Sequence, residues 1–532
     1  MSISRRNFLM RVGQAGGYSA AFATMQALGM FPMKAQEVKP IAAAPGSGKG
    51  VSVVIAGGGI SGLTTAYELR KLGYHVTVLE ARNRPGGRNW SARNGTVVEF
   101  SDGTKQTCTW EAGNYQNLGP GRLPSVHTTI LGYCRELGVP LEVEINTSRS
   151  TLLQNDTAFG GKAVPQRKAI NDTRGHVSEL LSKAIKGGAL DQQLTKEDKD
   201  RMNAFLRTYG ALGLDGKYHG SDRAGFKQYP GAGDQVAINQ EPMDMHTLLD
   251  ANFWAGILYE EAWDWQATMM QPVGGMDRIP YAFARELDKT KTIIYNAPIT
   301  SFKRTGANKG VEVTYMQAGK EKVIKADYMV NCMPLPIIKK LKQDLSPAYM
   351  DAINGATYAS SYKLAWESRR FWEQDYQIYG GLSFRAPGPT TVIWYPSANL
   401  MAPKGILVTG YEDEMIFGWD KLSMDEKFAT AKKQLEKIHP GHSQELTKPL
   451  ICMWRHVPYN EGSWIRGYGG GDKGYNTLLQ PDGPIFFAGD HTTHIVGWQE
   501  GAALSGRRVV GLLADHVKSA RLAGDTFGAV EA

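Results

Sequence analysis

The chain has 532 residues, 42% apolar and 21% charged, the balance of a folded globular protein, which excludes wholesale disorder and points to roughly two to four domains. Lys and Arg number 60 against 52 Asp and Glu, a net charge of +8, and much of that excess lies before residue 41. The remainder is too dilute for a nucleic-acid-binding stripe, and Cys108, Cys134, Cys332 and Cys452 are too scattered for a disulfide scaffold or a zinc knuckle.

The first element is an address. Ser4-Arg5-Arg6-Asn7-Phe8-Leu9 precedes an uncharged stretch from Val12 to Pro32, which reads as a twin-arginine export signal over 1–40. Gly13, Gly16, Gly17 and Gly29 make the stretch too polar for a good membrane span. Met10 stands where Lys is more usual, and the Ala35–Gln36 bond and Ala42–Ala44 are both weak cleavage candidates. The expectation is a periplasmic or secreted protein, with the twin-arginine export machinery as a partner. Such export moves proteins already folded in a reducing compartment, so free thiols are expected. In the linker Ile41–Gly50, Ala43 and Gly50 stand where a P-loop needs Gly and Ser or Thr, so that reading fails.

Val51–Ala56 is a short β-branched strand running into Gly57-Gly58-Gly59-Ile60-Ser61-Gly62. A helix is expected over Leu63–Leu72, ended by Gly73, and then a strand, Tyr74–Leu79, closing on Glu80. Gly57 allows a tight turn, Gly59 lets backbone approach a pyrophosphate, and Gly62 permits close helix–strand packing. The helix N-terminus then faces the phosphates, with Ile60 and Ser61 of the glycine turn bordering the cofactor, and Glu80 accepts ribose hydroxyls. Directly after the acid, Ala81, Arg82, Gly87 and Arg88 extend the motif further than a nicotinamide dinucleotide needs, which points to FAD. Distant segments complete the domain. Gln271–Pro280 leads into a helix, Ile293–Phe302 reads as one extended stretch, and Val311–Tyr315 with Lys322–Met329 reads as a hairpin. Pro484–Asp490 is a strand ending in Gly489-Asp490. A helix over Gln499–Arg507 follows, its N-terminus suited to the negative charge of a reduced flavin.

These pieces resemble the flavin-dependent amine oxidase superfamily from Val51 to about Ala520. The resemblance implies an α/β fold with an FAD-binding Rossmann-like domain of the glutathione-reductase type. That domain is expected from the discontinuous segments 50–92, 110–125, 271–345 and 475–520. A mixed-sheet substrate-binding domain (93–109 and 346–474) and a helical domain (126–270) complete it. Gly119-Pro120-Gly121-Arg122-Leu123-Pro124 is similar to the Gly-Pro-x-Arg-Leu-Pro segment of L-amino-acid oxidases, whose arginine grips the substrate carboxylate. A rigid Gly-Pro turn presenting a guanidinium suits bidentate carboxylate binding.

By the same resemblance Lys363 is the catalytic lysine that holds a water near flavin N5, and Tyr411 shares the carboxylate with Arg122. Gly497 and Trp498 stand beside the substrate, and Trp394 walls its pocket where relatives carry a smaller aromatic. Ile299 lies on the adenine. Gly119, Pro120, Gly121, Arg122, Gly489, Asp490, Gly497, Trp498 and Gln499 border the cofactor as well. Ser463 stands where monoamine oxidases carry the cysteine that bonds their flavin, so FAD is expected to be non-covalent. A homo-oligomer, a dimer, is the implied assembly.

The implied reaction is FAD-dependent oxidative deamination of L-amino acids by oxygen, giving 2-oxo acid, ammonia and hydrogen peroxide. The alternatives are an amino-acid monooxygenase, another flavin amine oxidase or dehydrogenase of the superfamily, and a non-catalytic FAD-binding module. His491 and His494 lack a third ligand, so no metal is expected. Lys196–Arg201 reads as a solvated helix face, and Trp263 and Trp265 read as core.

Overall fold

The computed structural model describes residues 41–386, 391–467, 472–524 and 527, so the export signal read over 1–40 lies outside the described residues. Five parallel strands form one sheet in the order Ile293–Ile294, His75–Leu79, Ser52–Ala56, Tyr328–Asn331, Ile485–Phe487. Val53–Ala56 and Tyr328–Asn331 are buried throughout, as a parallel sheet covered on both faces requires. The helix after the first strand starts at Ile60 rather than Leu63 and runs to Lys71, with Gly73 at φ +87° turning the chain out of it. It packs against the C-terminal helix Gln499–Leu522, which continues well past Arg507. The two approach so closely that a Cβ on Gly506 would lie 2.7 Å from the Ser61 carbonyl oxygen.

Two expected elements divide. The extended stretch 293–302 breaks at Asn296, in the left-handed region at φ +53°, and at Pro298, which has no N–H to give a ladder. Its first part joins the parallel sheet, and Ile299–Arg304 pairs antiparallel with Val311–Gln317. The second arm of that hairpin is Lys320–Ala326, shorter than expected. Asp327 ends it by accepting from Ser52 N at 2.8 Å and Ser52 Oγ at 2.7 Å, which aims Tyr328–Asn331 into the parallel sheet.

The second large sheet has seven strands in the order Val164–Pro165, Leu152–Asn155, Gly381–Ala386, Val392–Tyr395, Lys404–Asp413, Ser361–Arg369, Thr447–Met453. Its one parallel pair is Leu152–Asn155 with Gly381–Ala386, so the sheet is mixed. The core beneath it is rich in tryptophan, with Trp110, Trp366, Trp372, Trp419 and Trp454 all buried.

Segment 126–270 carries the helices Gln166–Lys186 and Lys196–Gly210 but is not all helical. Leu141–Glu144 pairs with Met269–Pro272, and Leu152–Asn155 enters the seven-stranded sheet because all four of its residues are buried. Helix Thr128–Glu136 places Ile130, Tyr133 and Cys134 in the core of the parallel sheet. The run Lys196–Arg201 opens a helix under a Thr195–Asp198 capping box. All four cysteines are free thiols. Among the described residues no helix is long and apolar enough to cross a membrane.

Candidate active site

A cleft of about 200 Å³ opens at the C-terminal ends of the parallel strands and reaches the seven-stranded sheet. At its first end Gly57, at φ +102°, makes the turn out of the strand, and a Cβ on Gly59 would meet only open space. Gly62, counted with the cofactor motif for its part in packing, does not itself border the cleft. A Cβ there would lie 2.0 Å from the Gly57 carbonyl oxygen, so its role is to let the helix pack on the turn. Helix Ile60–Lys71 has no capping side chain and no acid in its first turn, which leaves its N–H groups open to an anion.

Glu80 is buried at the cleft wall. Its Oε2 accepts from Gly58 N and its Oε1 from Arg82 N, both at 2.8 Å, and each oxygen retains a lone pair for a hydroxyl. Ala81, Arg82, Gly87 and Arg88 line the cleft beside it, as do Ile60, Ser61, Gly119, Pro120, Ile299, Gly489, Gly497, Trp498 and Gln499. Arg88 grips Asp490 with two bonds of 2.8 and 2.9 Å. Burial opposes the ionised Asp490, but Arg88 outweighs it and holds the carboxyl well below the usual range. Helix Gln499–Leu522 also begins at the cleft without a side-chain cap. Its one first-turn acid, Glu500, is committed to Thr129 N (3.0 Å) and Ile130 N (2.8 Å). Open glycine backbone, two uncapped helix N-termini and a fixed buried carboxylate fit FAD: phosphates at the first helix, ribose at Glu80, the flavin ring at the second helix.

At the other end, antiparallel register sets Lys363 directly opposite Tyr411, and both border the cleft. Lys363 Nζ donates to the carbonyls of Asn117 (3.0 Å) and Gly119 (2.5 Å). Burial and the repulsion of Arg122 push its pKa down to about 7. Burial raises Tyr411 above its ordinary value. Arg122 and Trp394 stand just behind this wall rather than in it. The Arg122 guanidinium lies 4.1 Å from the centre of the Trp394 indole and 4.6 Å from that of Trp265, and it donates to Asn146 Oδ1. Among the described residues it has no ion pair. Gly121 is pressed on Trp394, since a Cβ there would lie 2.1 Å from indole Cη2.

Trp263 and Trp265 are not core. Trp263 is exposed, and Trp265 stacks on Arg122 and packs edge-to-face with Trp498, ring centres 5.8 Å apart. The irregular backbone over 262–268 carries both toward the cleft instead of into a packed helix face. Sequence reasoning also missed Cys332, Pro334, Trp454, Tyr459 and Asn460 in the cleft wall, and Glu144 and Asn146 around Arg122. Only the fold gathers them, and no local motif marks them. Ser463 Oγ is engaged with Ser361 N and the Ala359 carbonyl. Cys332, the cysteine in the cleft wall, is pushed by burial to about 12, far from thiolate reactivity. Among the described residues no group of three His, Cys, Asp or Glu could hold a metal ion.

A family model described as flavin-containing amine oxidoreductase matches residues 60–514. Similar proteins include an L-amino-acid oxidase of Daboia russelii, 26% identical over 476 residues, which span 85% of this chain and 87% of that one. One of Protobothrops flavoviridis is 26% identical over 473 residues, with the same coverage. Among solved structures, wild-type putrescine oxidase bound to putrescine superposes with a TM-score of 0.57 at 19% identity, covering 87% of this chain and 99% of that chain. A triple mutant of that oxidase gives a TM-score of 0.58, also at 19% identity. At that identity the likeness is one of fold.

Proposed function

The chain belongs to the flavin-containing amine oxidoreductases, and from that premise we propose that it oxidises L-amino acids to 2-oxo acids, releasing ammonia and hydrogen peroxide. The observation that carries this reading is Arg122, a buried guanidinium that makes no direct ion pair among the described residues, set behind Lys363 and Tyr411 where a substrate's reacting carbon would lie. A buried cation of this kind is costly unless an anion pairs with it, and an α-carboxylate supplies one. Putrescine, a diamine, would have nothing to offer it. The resemblance to the L-amino-acid oxidases supports the same substrate class.

FAD, held without a covalent bond, supplies the two-electron acceptor when bound. The protein's part is positioning. Arg122 and Tyr411 fix the carboxylate, and the Gly497 carbonyl accepts from the substrate amine. Trp394 and Trp498 wall the side chain. Lys363, poised near neutrality, holds the water that attacks the imino acid. The Trp265 and Trp394 indoles lie near the guanidinium, and a carboxylate would pair with its N–H groups in the guanidinium plane. Export through the Arg5-Arg6 leader and assembly as a homodimer remain part of the proposal. The test is an aerobic L-amino-acid panel on FAD-loaded protein. One peroxide per 2-oxo acid is the expected result. An amide product with loss of carbon dioxide would make the protein a monooxygenase, and reduced flavin without peroxide a dehydrogenase.

A further inference from the structure

The strand Leu141–Glu144 faces the wrong way for its composition: Val143 is 59% exposed and Glu144 only 3%. Inverting a strand so that a carboxylate is buried and a valine is solvated costs free energy unless the acid has a task. Glu144 Oε1 accepts from Trp394 Nε1 at 3.2 Å, while Oε2 has no partner. The side chain borders a second cavity of about 40 Å³, room enough for a water, shared with Tyr115, Asn117, Gln271 and Trp394. Burial raises the Glu144 pKa above the usual carboxylate range; Arg122, the Trp394 bond and Lys363 oppose that rise. The Trp394 indole is thus held at its edge by Glu144, with Arg122 and Lys363 over its ring at 4.1 and 4.8 Å.

We propose that Glu144 is the internal counter-charge of Arg122, which keeps Trp394 in place and takes up a proton when a substrate carboxylate pairs with Arg122. The inference rests on the amino-acid reading above. Two carboxylates sharing one buried guanidinium disfavour ionisation of both, and the arriving substrate is the one held by direct contact. The proton comes from solvent to Glu144 Oε2, and no carbon bond changes. Glu144 is therefore a positioning residue that also sets the charge of the site. Binding of a carboxylate then weakens as pH rises, by up to roughly tenfold per pH unit while Glu144 is ionised in the free protein and protonated in the complex.

Other groups face the same region. Glu142, on the same strand, is held by Gln271 Nε2. Tyr115, across the cavity, feels Glu142, Arg93, Asp277 and Arg278, and Tyr259 feels Arg122 and Glu144. Burial pushes Tyr259 up to about 12, so it stays neutral. Lys363, at about 7, also gains protons when an anion arrives, so the parent's count contains both groups.

Calorimetry of benzoate binding to the FAD-loaded protein, in buffers of different ionisation heat from about pH 6 to 8.5, counts these protons. The parent should take up protons on binding. Glu144→Gln keeps an acceptor for Trp394 but carries no charge. It should take up fewer, with a log Kd against pH plot flatter by up to about one unit per pH unit. Equal uptake in parent and E144Q overturns the inference and leaves the carboxylate reading standing. Failure of benzoate to bind either protein fells both. Should E144Q not load FAD, Lys363→Met decides: uptake must persist in that variant, and its complete loss assigns the proton to Lys363.

Discussion

The two ends of the cleft are made of different material. Gly57 to Arg88, a single continuous stretch, give the first end its open backbone, one fixed carboxylate and a helix N-terminus. At the second end side chains gather from seven places along the chain, Lys363, Tyr411 and Trp498 in the wall and Arg122, Glu144, Trp265 and Trp394 packed behind it. Backbone recognises what every dinucleotide shares. Side chains gathered from afar can change one by one, and so they carry the choice of substrate. Damage to one end should therefore leave the other's function intact.

Arg122→Met should test that separation with the largest effect. Removing one partner of a buried charge pair costs about 3–5 kcal/mol, or roughly 10²–10⁴-fold in kcat/KM. The loss should be uniform across L-amino acids and much smaller for simple amines, with the flavin spectrum unchanged. Lys363→Met bears on stability. Between about pH 7 and 10.4 the unfolded chain keeps a proton that folded Lys363 has shed, so folding gains stability as pH rises through that window. Urea midpoints of the apoprotein should show the parent gaining over the variant, on the order of 4 kcal/mol across the window. Glu80→Ala attacks the first end and leaves Gly58 N and Arg82 N unpaired, at about 1–3 kcal/mol each. Flavin should be lost on dialysis, while the fraction still loaded turns over like the parent. Gly121→Ala drives a Cβ into Trp394, an overpacking cost of about 1–3 kcal/mol. It should raise KM for amino acids and spare flavin retention.

How much of each end was legible in the sequence follows from the same contrast. The spacing of Gly57, Gly59, Gly62 and Glu80 is a local demand of one turn and one helix, so it stands in the sequence as a motif. The motif even separated Gly62, which serves packing, from Gly59, which faces the cleft. Arg122, Lys363 and Tyr411 were reached only through family resemblance. The register that sets Lys363 opposite Tyr411 is a property of the sheet, not of either strand alone. Trp265 read as core because tryptophan usually is, and the structure uses its face to hold a guanidinium instead. Glu144 carried no sign at all, since an alternating Leu-Glu-Val-Glu strand ordinarily buries its apolar face. The helical reading of 126–270 failed at 141–144 and 152–155 because those strands find their partners at 269–272 and 381–386.

The most direct measurement is an anaerobic titration of the FAD-loaded protein, following flavin absorbance, with L-amino acids and with the amines left when their carboxyl groups are removed. L-Amino acids should bleach the flavin rapidly and the matched amines slowly or not at all, because only the former bring an anion to Arg122. Bleaching by putrescine or other simple amines as fast as by L-amino acids would contradict the assignment of the side-chain end of the cleft to a carboxylate.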